Sequence, residues 1–429
     1  MPRWSLLVVA FVALSGCYRM QTLRRQAAKL DRYVEVEGRV ERPEGSEGPL
    51  VVELVRAARS DRAPDAIVDR AVLREAGEFR FVVRPSDRYS LVAFVDTDGD
   101  LSLDAGERWT MPQAWRGEPL VLRPDDVADM PPRGLMLSRD YDLGAVVSLD
   151  DPRFGPEGGE YGIWQPLRWP QRYPMGVFFT EAWDPTRVPV LFVYGIGGFG
   201  KQLRRFVEWL DHDRFQAWFV NYPTGLPIAQ VAQWLRRAMD ELHAQLGFER
   251  TCVVAHSMGG LVARDMLGSL EGESYVRGLT TIATPYGGIG SAAFGVSWSP
   301  AVAPAWRDLA PESTFLREVF ARPGPDAVAR DLVFLFEPGE SGDGVVPLES
   351  QLRVEAQREA ERRRGFPFEH AAALEAREVW GFVAEGLDRC APSAAASAVE
   401  TPTPSDASPA PVEASPVPVE ASPAPVEAP

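Results

Sequence analysis

The feature that most constrains the fold is a series of five continuous apolar runs in the second half of the chain. They are VPVLFVYGIGGFG from Val188, FQAWFVNYP from Phe215, ERTCVVAHSMGG from Glu249, VRGLTTIATPYGG from Val276 and RDLVFLFEPG from Arg330. Amphipathic stretches such as IAQVAQWLRRAMDELHAQLG lie between several of them. Strands that are apolar on both faces and alternate with helices predict a mostly parallel sheet with helices on both faces, an α/β domain over residues 188–390.

The first half of the chain has a different pattern. From Tyr33 it contains short alternating runs, among them YVEVEGRV, LVVELVRA and YSLVAFV, which Gly, Pro and Asp residues separate. This spacing predicts a small all-β sandwich over residues 33–148, followed by a connection over 149–187. Residues 391–429 are rich in Pro and Ala and carry three tandem seven-residue copies, so we expect a disordered tail.

The N-terminus has the pattern of an export signal. Residues 1–17, MPRWSLLVVAFVALSGC, combine a positive start with an apolar stretch shorter than the roughly 20 residues needed to span a bilayer. The last four residues of this segment resemble the lipobox of bacterial lipoproteins. The resemblance implies a lipid on Cys17 and a membrane-anchored protein of the cell envelope. Residues 18–32 look like a short tether or helix that leads off the membrane. Tyr18 in place of an aspartate implies the outer membrane of a Gram-negative bacterium.

Charge and cysteine content exclude some partners and pairings. The formal net charge is −16, which argues against nucleic acid and against an anionic membrane surface as electrostatic partners. Cys252 lies within an apolar run, and this position favours a buried thiol over a bridge to Cys390.

An Asp-rich segment, FVDTDGDLSLDAGE, lies within the predicted sandwich. Its oxygen-bearing residues have the spacing of an EF-hand calcium loop, at positions 1, 3, 5, 7, 9 and 12. They are Asp96, Asp98, Asp100, Ser102, Asp104 and Glu107. Leu101 replaces the usual glycine at position 6, and the flanks look like strands. The stretch resembles Asp-rich turns in transthyretin-like and Ig-like domains of exported proteins. The sequence leaves two interpretations of this segment: a loop that binds a structural calcium ion, and a solvated acidic hairpin.

Ser257 carries the strongest chemical signal. It stands in Ala255-His256-Ser257-Met258-Gly259-Gly260, directly after an apolar run and before a helical stretch. Small residues two places on either side of the serine allow the tight strand-to-helix turn of a nucleophile elbow. The sequence therefore predicts Ser257 as a catalytic nucleophile.

A serine hydroxyl needs a general base, and the chain has four histidines. His256 adjoins the serine, and adjacent side chains in a sharp turn point apart. His212 lies in a polar turn and His243 on a charged helix. His370, in a loop before the last helix, is the remaining candidate.

The base in turn needs a carboxylate to orient it. Asp343 follows the last apolar run, at the strand end where sites of open sheets form. Glu340 and Asp308 are competitors. The chain order Ser257, Asp343, His370 is the nucleophile–acid–base order of α/β-hydrolases.

Residues 188–387 resemble the lipase and esterase branch of the α/β-hydrolase superfamily. The loop Tyr194-Gly195-Ile196-Gly197-Gly198 is similar to its His-Gly-Ile-Gly-Gly loop, and TIATPYGG and DGVVPLES are similar to segments of GPI inositol-deacylase-like and lecithin acyltransferase-like lipases. The resemblance implies an oxyanion hole formed by the amides of Ile196 and Met258, with tyrosine at position 194 where the family usually has histidine.

Three functions are compatible with these residues. The first is hydrolysis of carboxylic esters of a lipid or small ester, without a catalytic cofactor or metal. The second is acyl transfer through the same acyl-enzyme, and the third is a non-catalytic envelope lipoprotein.

Between Gly288 and Asp326 an insertion rich in aromatic residues fits either an apolar lid or a helical excursion packed on the core.

Overall fold

The structure, a computed structural model, describes residues 18–58, 65–128, 138–139, 141–268, 274–299 and 301–391. The predicted signal segment with Cys17 and nearly all of the predicted tail lie outside the described residues. Within the described ranges, no helix has both the length and the apolar character needed to cross a bilayer.

Two sheets make up the first half of the chain. The strands are β1 (Val34–Val40), β2 (Leu50–Arg56), β3 (Ala66–Leu73), β4 (Gly77–Val83), β5 (Tyr89–Val95), β6 (Arg108–Trp109), β7 (Gln113–Ala114), β8 (Leu120–Leu122), β9 (Asp126–Val127) and β10 (Ser138–Arg139). The smaller sheet has the order β4-β1-β8, and the larger has β10-β3-β2-β5-β6-β9 with β7 paired to β5. Val36 and Phe81 of the smaller sheet share one core with Val52 and Leu91 of the larger, which confirms the predicted sandwich.

A third sheet of eight strands organises the second half. Its strands are β11 (Asp142–Val146), β12 (Gly176–Phe179), β13 (Val188–Val193), β14 (Phe215–Asn221), β15 (Thr251–His256), β16 (Val276–Ile282), β17 (Ala329–Leu335) and β18 (Arg362–Phe366). Their order is β11-β12-β14-β13-β15-β16-β17-β18. Only the β12–β14 pair is antiparallel among the pairings of this described sheet.

The start of this sheet corrects the predicted domain boundaries. β11 lies within residues 33–148 and β12 within 149–187, so the α/β domain begins at Asp142 rather than at residue 188. The sequence did not reveal these two strands, because β11 is a short edge strand with exposed residues and β12 has only four residues.

Helices cover the eight-stranded sheet. An N-terminal helix, α1, covers residues 18–30. The others are α2 (Pro156–Trp164), α3 (Arg204–Trp209), α4 (Ile228–Leu246), α5 (Met258–Gly268), α6 (Gly290–Trp298), α7 (Pro304–Asp308), α8 (Thr314–Ala321), α9 (Leu348–Gln351), α10 (Val354–Glu359) and α11 (Arg377–Cys390). Short 3-10 turns cover Pro152–Phe154, Trp169–Gln171, Gly200–Leu203 and Ala372–Glu375.

A buried ionic contact joins the sandwich to the α/β domain. Arg70 of β3 bonds to Glu241 of α4 at 2.8 Å and pairs with Glu53 of β2. The Tyr141 hydroxyl donates to the other Glu241 oxygen at 3.1 Å. Because a buried charge is costly without partners, this cluster fixes how β3 lies on α4.

The expectation of a free thiol at Cys252 is wrong. Cys252 in β15 and Cys390 at the end of α11 form a disulfide across 138 residues of sequence. Helix α11 packs across β15 and β16, and a Cβ at Gly278 would lie 2.7 Å from the Cys390 Cβ. This long-range approach of a helix end to a strand was not visible in the local sequence.

Candidate active site

Ser257 occupies a strained turn between β15 and α5. Its φ is 56°, a left-handed conformation that costs a non-glycine residue about 1–3 kcal/mol. A Cβ at Gly259 would lie 2.4 Å from the Val193 carbonyl oxygen, and one at Gly195 would lie 2.5 Å from the Ser257 Cβ. Glycine at both positions therefore lets the turn pack directly against the end of β13.

His370 and Asp343 are joined by a short hydrogen bond. The His370 Nδ1 lies 2.7 Å from the Asp343 Oδ2, and the His370 backbone N–H donates to the Asp343 carbonyl oxygen at 3.0 Å. The other oxygen, Oδ1, accepts the N–H groups of Val345 and Val346. With Nδ1 holding a proton for the buried carboxylate, Nε2 is the nitrogen available as a base.

Asp308 and Glu340, the two carboxylates that compete with Asp343 in the sequence, lie elsewhere in the structure. The Asp308 Oδ2 accepts the Ile228 N–H at 2.7 Å, at the start of α4, and burial raises the pKa of Asp308 to about 6. Glu340 is exposed. Among the described contacts, Asp343 is the carboxylate that bonds to His370.

His256, which the sequence set aside as a base, contacts His370. The His256 Nε2 lies 3.0 Å from the His370 carbonyl oxygen, and the two rings have centroids 4.7 Å apart. Because a carbonyl only accepts, Nε2 carries the proton and Nδ1 does not; Nδ1 is buried without a partner among the described atoms. Burial, and then the nearness of His370, lowers the pKa of His256 to about 3. A neutral His256 thus holds the His370 loop against the elbow.

The elbow and the base are neighbours without a direct bond. His370 lies against His256, the residue before Ser257, yet no hydrogen bond joins the Ser257 Oγ to His370 among the described residues. Catalytic hydrogen bonds of this kind are often long in the free protein and tighten when substrate binds.

Two backbone amides lie at the same end of the sheet, those of Ile196 after β13 and Met258 after β15. Within the described chain, neither Ile196 nor Met258 donates its N–H to a protein acceptor. Met258 is the first residue of α5, where the helix dipole favours negative charge. The next amide in the loop, that of Gly197, donates to the Thr224 Oγ1 at 3.0 Å and fixes the loop. The arrangement fits an oxyanion hole.

Tyr194 supports this loop in a different way from the histidine that the resemblance implies. Its hydroxyl donates to the Asn221 Oδ1 at 2.9 Å and accepts the Tyr222 N–H at 2.8 Å. The Tyr222 hydroxyl donates back to the Tyr194 carbonyl oxygen at 2.6 Å, and the two rings stack. Burial raises the pKa of Tyr194, so the hydroxyl stays neutral and the pair anchors the end of β13 to β14.

A family match covers the part of the chain that holds the elbow. Residues 225–300, which contain the elbow, match the family described as an alpha/beta hydrolase of unknown function. A search of curated proteins finds no match. The eight-stranded sheet carries a serine elbow after its central strand β15, with Asp343 and His370 on later loops. The second half of the chain has the α/β-hydrolase fold.

Solved structures similar to the chain include lipases. Bacillus licheniformis lipase BlEst2 in mature form is 17% identical, with a TM-score of 0.39, over 48% of this chain and 94% of that protein. The product of gene lin2722 from Listeria innocua is 15% identical, with a TM-score of 0.37, over 47% and 94%. Aspergillus fumigatus lipase B is 15% identical, with a TM-score of 0.37, over 49% and 55%.

The insertion of the α/β-hydrolase domain leaves the sheet after β16, at the carboxyl edge that holds Ser257. Helix α8 packs inward through buried residues such as Leu316. Helices α6 and α7 expose Phe294, whose exposed fraction is 67%, together with Val296 and Trp306. The insertion therefore combines a core-packed helix with an exposed apolar surface.

The Asp-rich loop lies outside the α/β-hydrolase domain, between β5 and β6 of the sandwich. Oxygen atoms of Asp96, Asp98 and Glu107 lie within 4.8 Å of one another, as do those of Asp98, Asp100 and Asp104. Leu101 has a φ of 59°, so position 6 keeps the left-handed backbone for which calcium loops use glycine. These oxygen donors suit calcium chemically, and the calcium site stays a prediction.

Proposed function

We propose that the α/β-hydrolase domain cleaves carboxylic esters through an acyl-enzyme on Ser257. The observation that carries the proposal is the His370–Asp343 pair, held at 2.7 Å beside a strained serine elbow. The strain keeps the Ser257 hydroxyl at the tip of the turn, and the buried carboxylate stabilises the imidazolium that forms when His370 takes a proton.

The mechanism follows from these positions. The His370 Nε2 takes the Ser257 proton as Oγ attacks the ester carbonyl carbon, and the carbonyl electron pair moves onto its oxygen. The amides of Ile196 and Met258 bind this oxyanion. Collapse of this tetrahedral adduct breaks the ester bond, and His370 gives its proton to the leaving alcohol. Water, deprotonated by His370, then attacks the acyl-enzyme carbonyl; the bond to the Ser257 Oγ breaks, the acid leaves, and His370 returns the proton to Oγ.

An acyl lipid is the proposed substrate class. Its support is the exposed apolar surface on α6 and α7, which lies in the insertion at the carboxyl edge of the sheet. Attachment to a bacterial envelope membrane through Cys17 belongs to the same proposal. The Cys252–Cys390 disulfide supports export, because such bonds persist in oxidising compartments.

The test is turnover of a series of p-nitrophenyl esters from short to long acyl chains. Ser257→Ala should lower turnover by several orders of magnitude without unfolding the protein. Ser274→Ala, which removes another buried serine, is the matched control and should keep wild-type activity. An optimum at long chains would support a lipid substrate. Equal activity of the Ser257→Ala variant would refute the assignment, and a folded protein inactive on every ester would favour acyl transfer or a binding role.

A further inference from the structure

The N-terminal helix α1 is fixed to the α/β-hydrolase domain. It buries Leu23, Ala27 and Leu30, and the Gln26 Oε1 accepts the Leu167 N–H at 2.9 Å. The segment predicted as a tether is therefore a docked helix with one buried face.

Both ends of the helical segment carry ion pairs to neighbouring helices. Arg19 pairs with Glu160 of α2, and the Asp31 carboxylate lies 2.6 Å from the Arg307 guanidinium of α7. These ion pairs define how α1 is oriented, because they join the segment to two different helices.

The exposed face of this segment is strongly basic. Residues 18–32 hold five cationic side chains and one carboxylate, in a protein whose net charge is −16. Four of the cations are exposed and form no ion pair within the described part of the chain: Arg24, Arg25, Lys29 and Arg32. At about 100° per residue, Arg24, Arg25 and Lys29 lie on the side of the helix opposite the buried face, and Arg32 lies in the turn that follows. The overall charge, which argued against an anionic surface as a partner, conceals this local excess.

The basic face adjoins the elements that surround the active site. Helix α2 packs on the oxyanion loop, since a Cβ at Gly159 would lie 2.2 Å from the Gly197 carbonyl oxygen. Helix α7 holds Arg307 beside the exposed Trp306 and contacts α6, which exposes Phe294. Cationic and apolar groups therefore occur on adjoining elements, the combination that binds membrane interfaces.

We infer that the basic face of α1 binds an anionic phospholipid bilayer and holds the catalytic domain at its surface. Within the described residues the four cations form no ion pair, and a bilayer of anionic headgroups supplies the counter-charge. This binding goes beyond the proposed esterase and does not require catalysis.

The test is vesicle binding by protein that begins at Tyr18 and carries Ser257→Ala, so that neither the proposed lipid anchor nor hydrolysis contributes. Phosphatidylcholine vesicles with and without phosphatidylglycerol are compared at rising salt. The helix variant carries four substitutions: Arg24→Gln, Arg25→Gln, Lys29→Gln and Arg32→Gln. The control removes the same charge from exposed arginines elsewhere: Arg39→Gln, Arg88→Gln, Arg116→Gln and Arg364→Gln.

We expect the parent protein to bind only the anionic vesicles, with binding that weakens as salt rises. Each cation contributes about fivefold, so the four substitutions of the helix variant should together lower the affinity roughly 600-fold, while the control keeps its affinity. Glutamine preserves helix propensity, and single substitutions should give stepwise losses if the quadruple variant unfolds. Equal loss in the control, equal binding to neutral vesicles, or tighter binding to duplex DNA than to vesicles would overturn the proposal.

Discussion

Asp343 and Asp96 are two buried aspartates that both accept backbone N–H groups but have different surroundings. Each accepts backbone N–H groups from the turn that follows it: Asp343 from Val345 and Val346, Asp96 from Gly99 and Leu101. The second oxygen of Asp343 meets the ring of His370. Asp96 instead faces the carboxylates of its own loop, and burial raises its pKa.

The comparison shows that an aspartate turn acquires its chemistry from its long-range partner. Near Asp343, the imidazole supplies a proton donor and can become a cation. Near Asp96, a neutralising cation would have to come from solution. A buried aspartate that accepts backbone N–H groups thus suits acid–base catalysis in one half of the molecule and ion binding in the other.

The largest expected effect that separates the two aspartates is on turnover. Asp343→Asn should lower kcat roughly 10³- to 10⁴-fold, because the amide holds the His370 ring in the wrong tautomer and cannot stabilise its cation. Asp96→Asn, the matched control in the sandwich, should leave kcat unchanged. Ester hydrolysis by both variants measures this contrast, and comparable losses in the two would show that the Asp343–His370 bond has no special role.

Substitution of His256 should have a smaller effect on turnover than substitution of Asp343. His256→Phe removes the donor to the His370 carbonyl and should lower kcat by up to about 10²-fold through misplacement of the base. His256→Gln keeps an N–H donor and should restore most of the activity with little change in KM. If the Phe and Gln variants were equally active, the hydrogen bond to His370 would be irrelevant to positioning.

The same residue should make the fold sensitive to acid. An unfolded histidine has a pKa near 6.5, whereas His256 has one of about 3 in the fold. Between these pH values the unfolded chain binds the proton and the native protein does not, so stability falls as pH falls through this window, by at most about 1.4 kcal/mol per pH unit. Urea unfolding across this range should show a shallower loss for His256→Gln; identical slopes would contradict the burial argument.

The smallest expected effect concerns the Asp-rich loop. If it binds calcium, added Ca²⁺ should raise Tm by a few degrees, and Asp98→Asn with Asp100→Asn should abolish the shift. Without calcium, the raised pKa values of Asp96 and Glu107 mean that their protonation at lower pH favours the native state. Thermal unfolding with Ca²⁺, with Mg²⁺ and with a chelator measures the effect of calcium on Tm. An unchanged Tm in Ca²⁺ would show that the loop is a solvated acidic hairpin.

Local signals in the sequence predicted the features that depend on short segments. The mostly parallel sheet with its helices and the sandwich followed from runs of apolar and alternating residues, and the resemblance over residues 188–387 implied the α/β-hydrolase fold. Ser257 was predicted from the small residues around it, and Asp343 and His370 from chain order and strand ends. The structure brings His370 and Asp343 into contact and places His370 beside the elbow.

Features that depend on distant contacts were not predicted. The Cys252–Cys390 bond joins a strand to a helix end 138 residues away. The contact of His256 with the His370 carbonyl depends on how a later loop returns to the elbow. The docked face of α1 depends on partners such as Leu167, which nothing in residues 18–32 reveals.

The most direct test of the catalytic assignment is covalent labelling with a fluorophosphonate ester, followed by peptide mass spectrometry. The reagent phosphonylates a serine only where a base activates the hydroxyl and donors hold the oxyanion. The account predicts one labelled site, Ser257, with labelling greatly slowed in Asp343→Asn and unchanged in Asp96→Asn. Absence of label in the folded protein, or label on another serine, would contradict it.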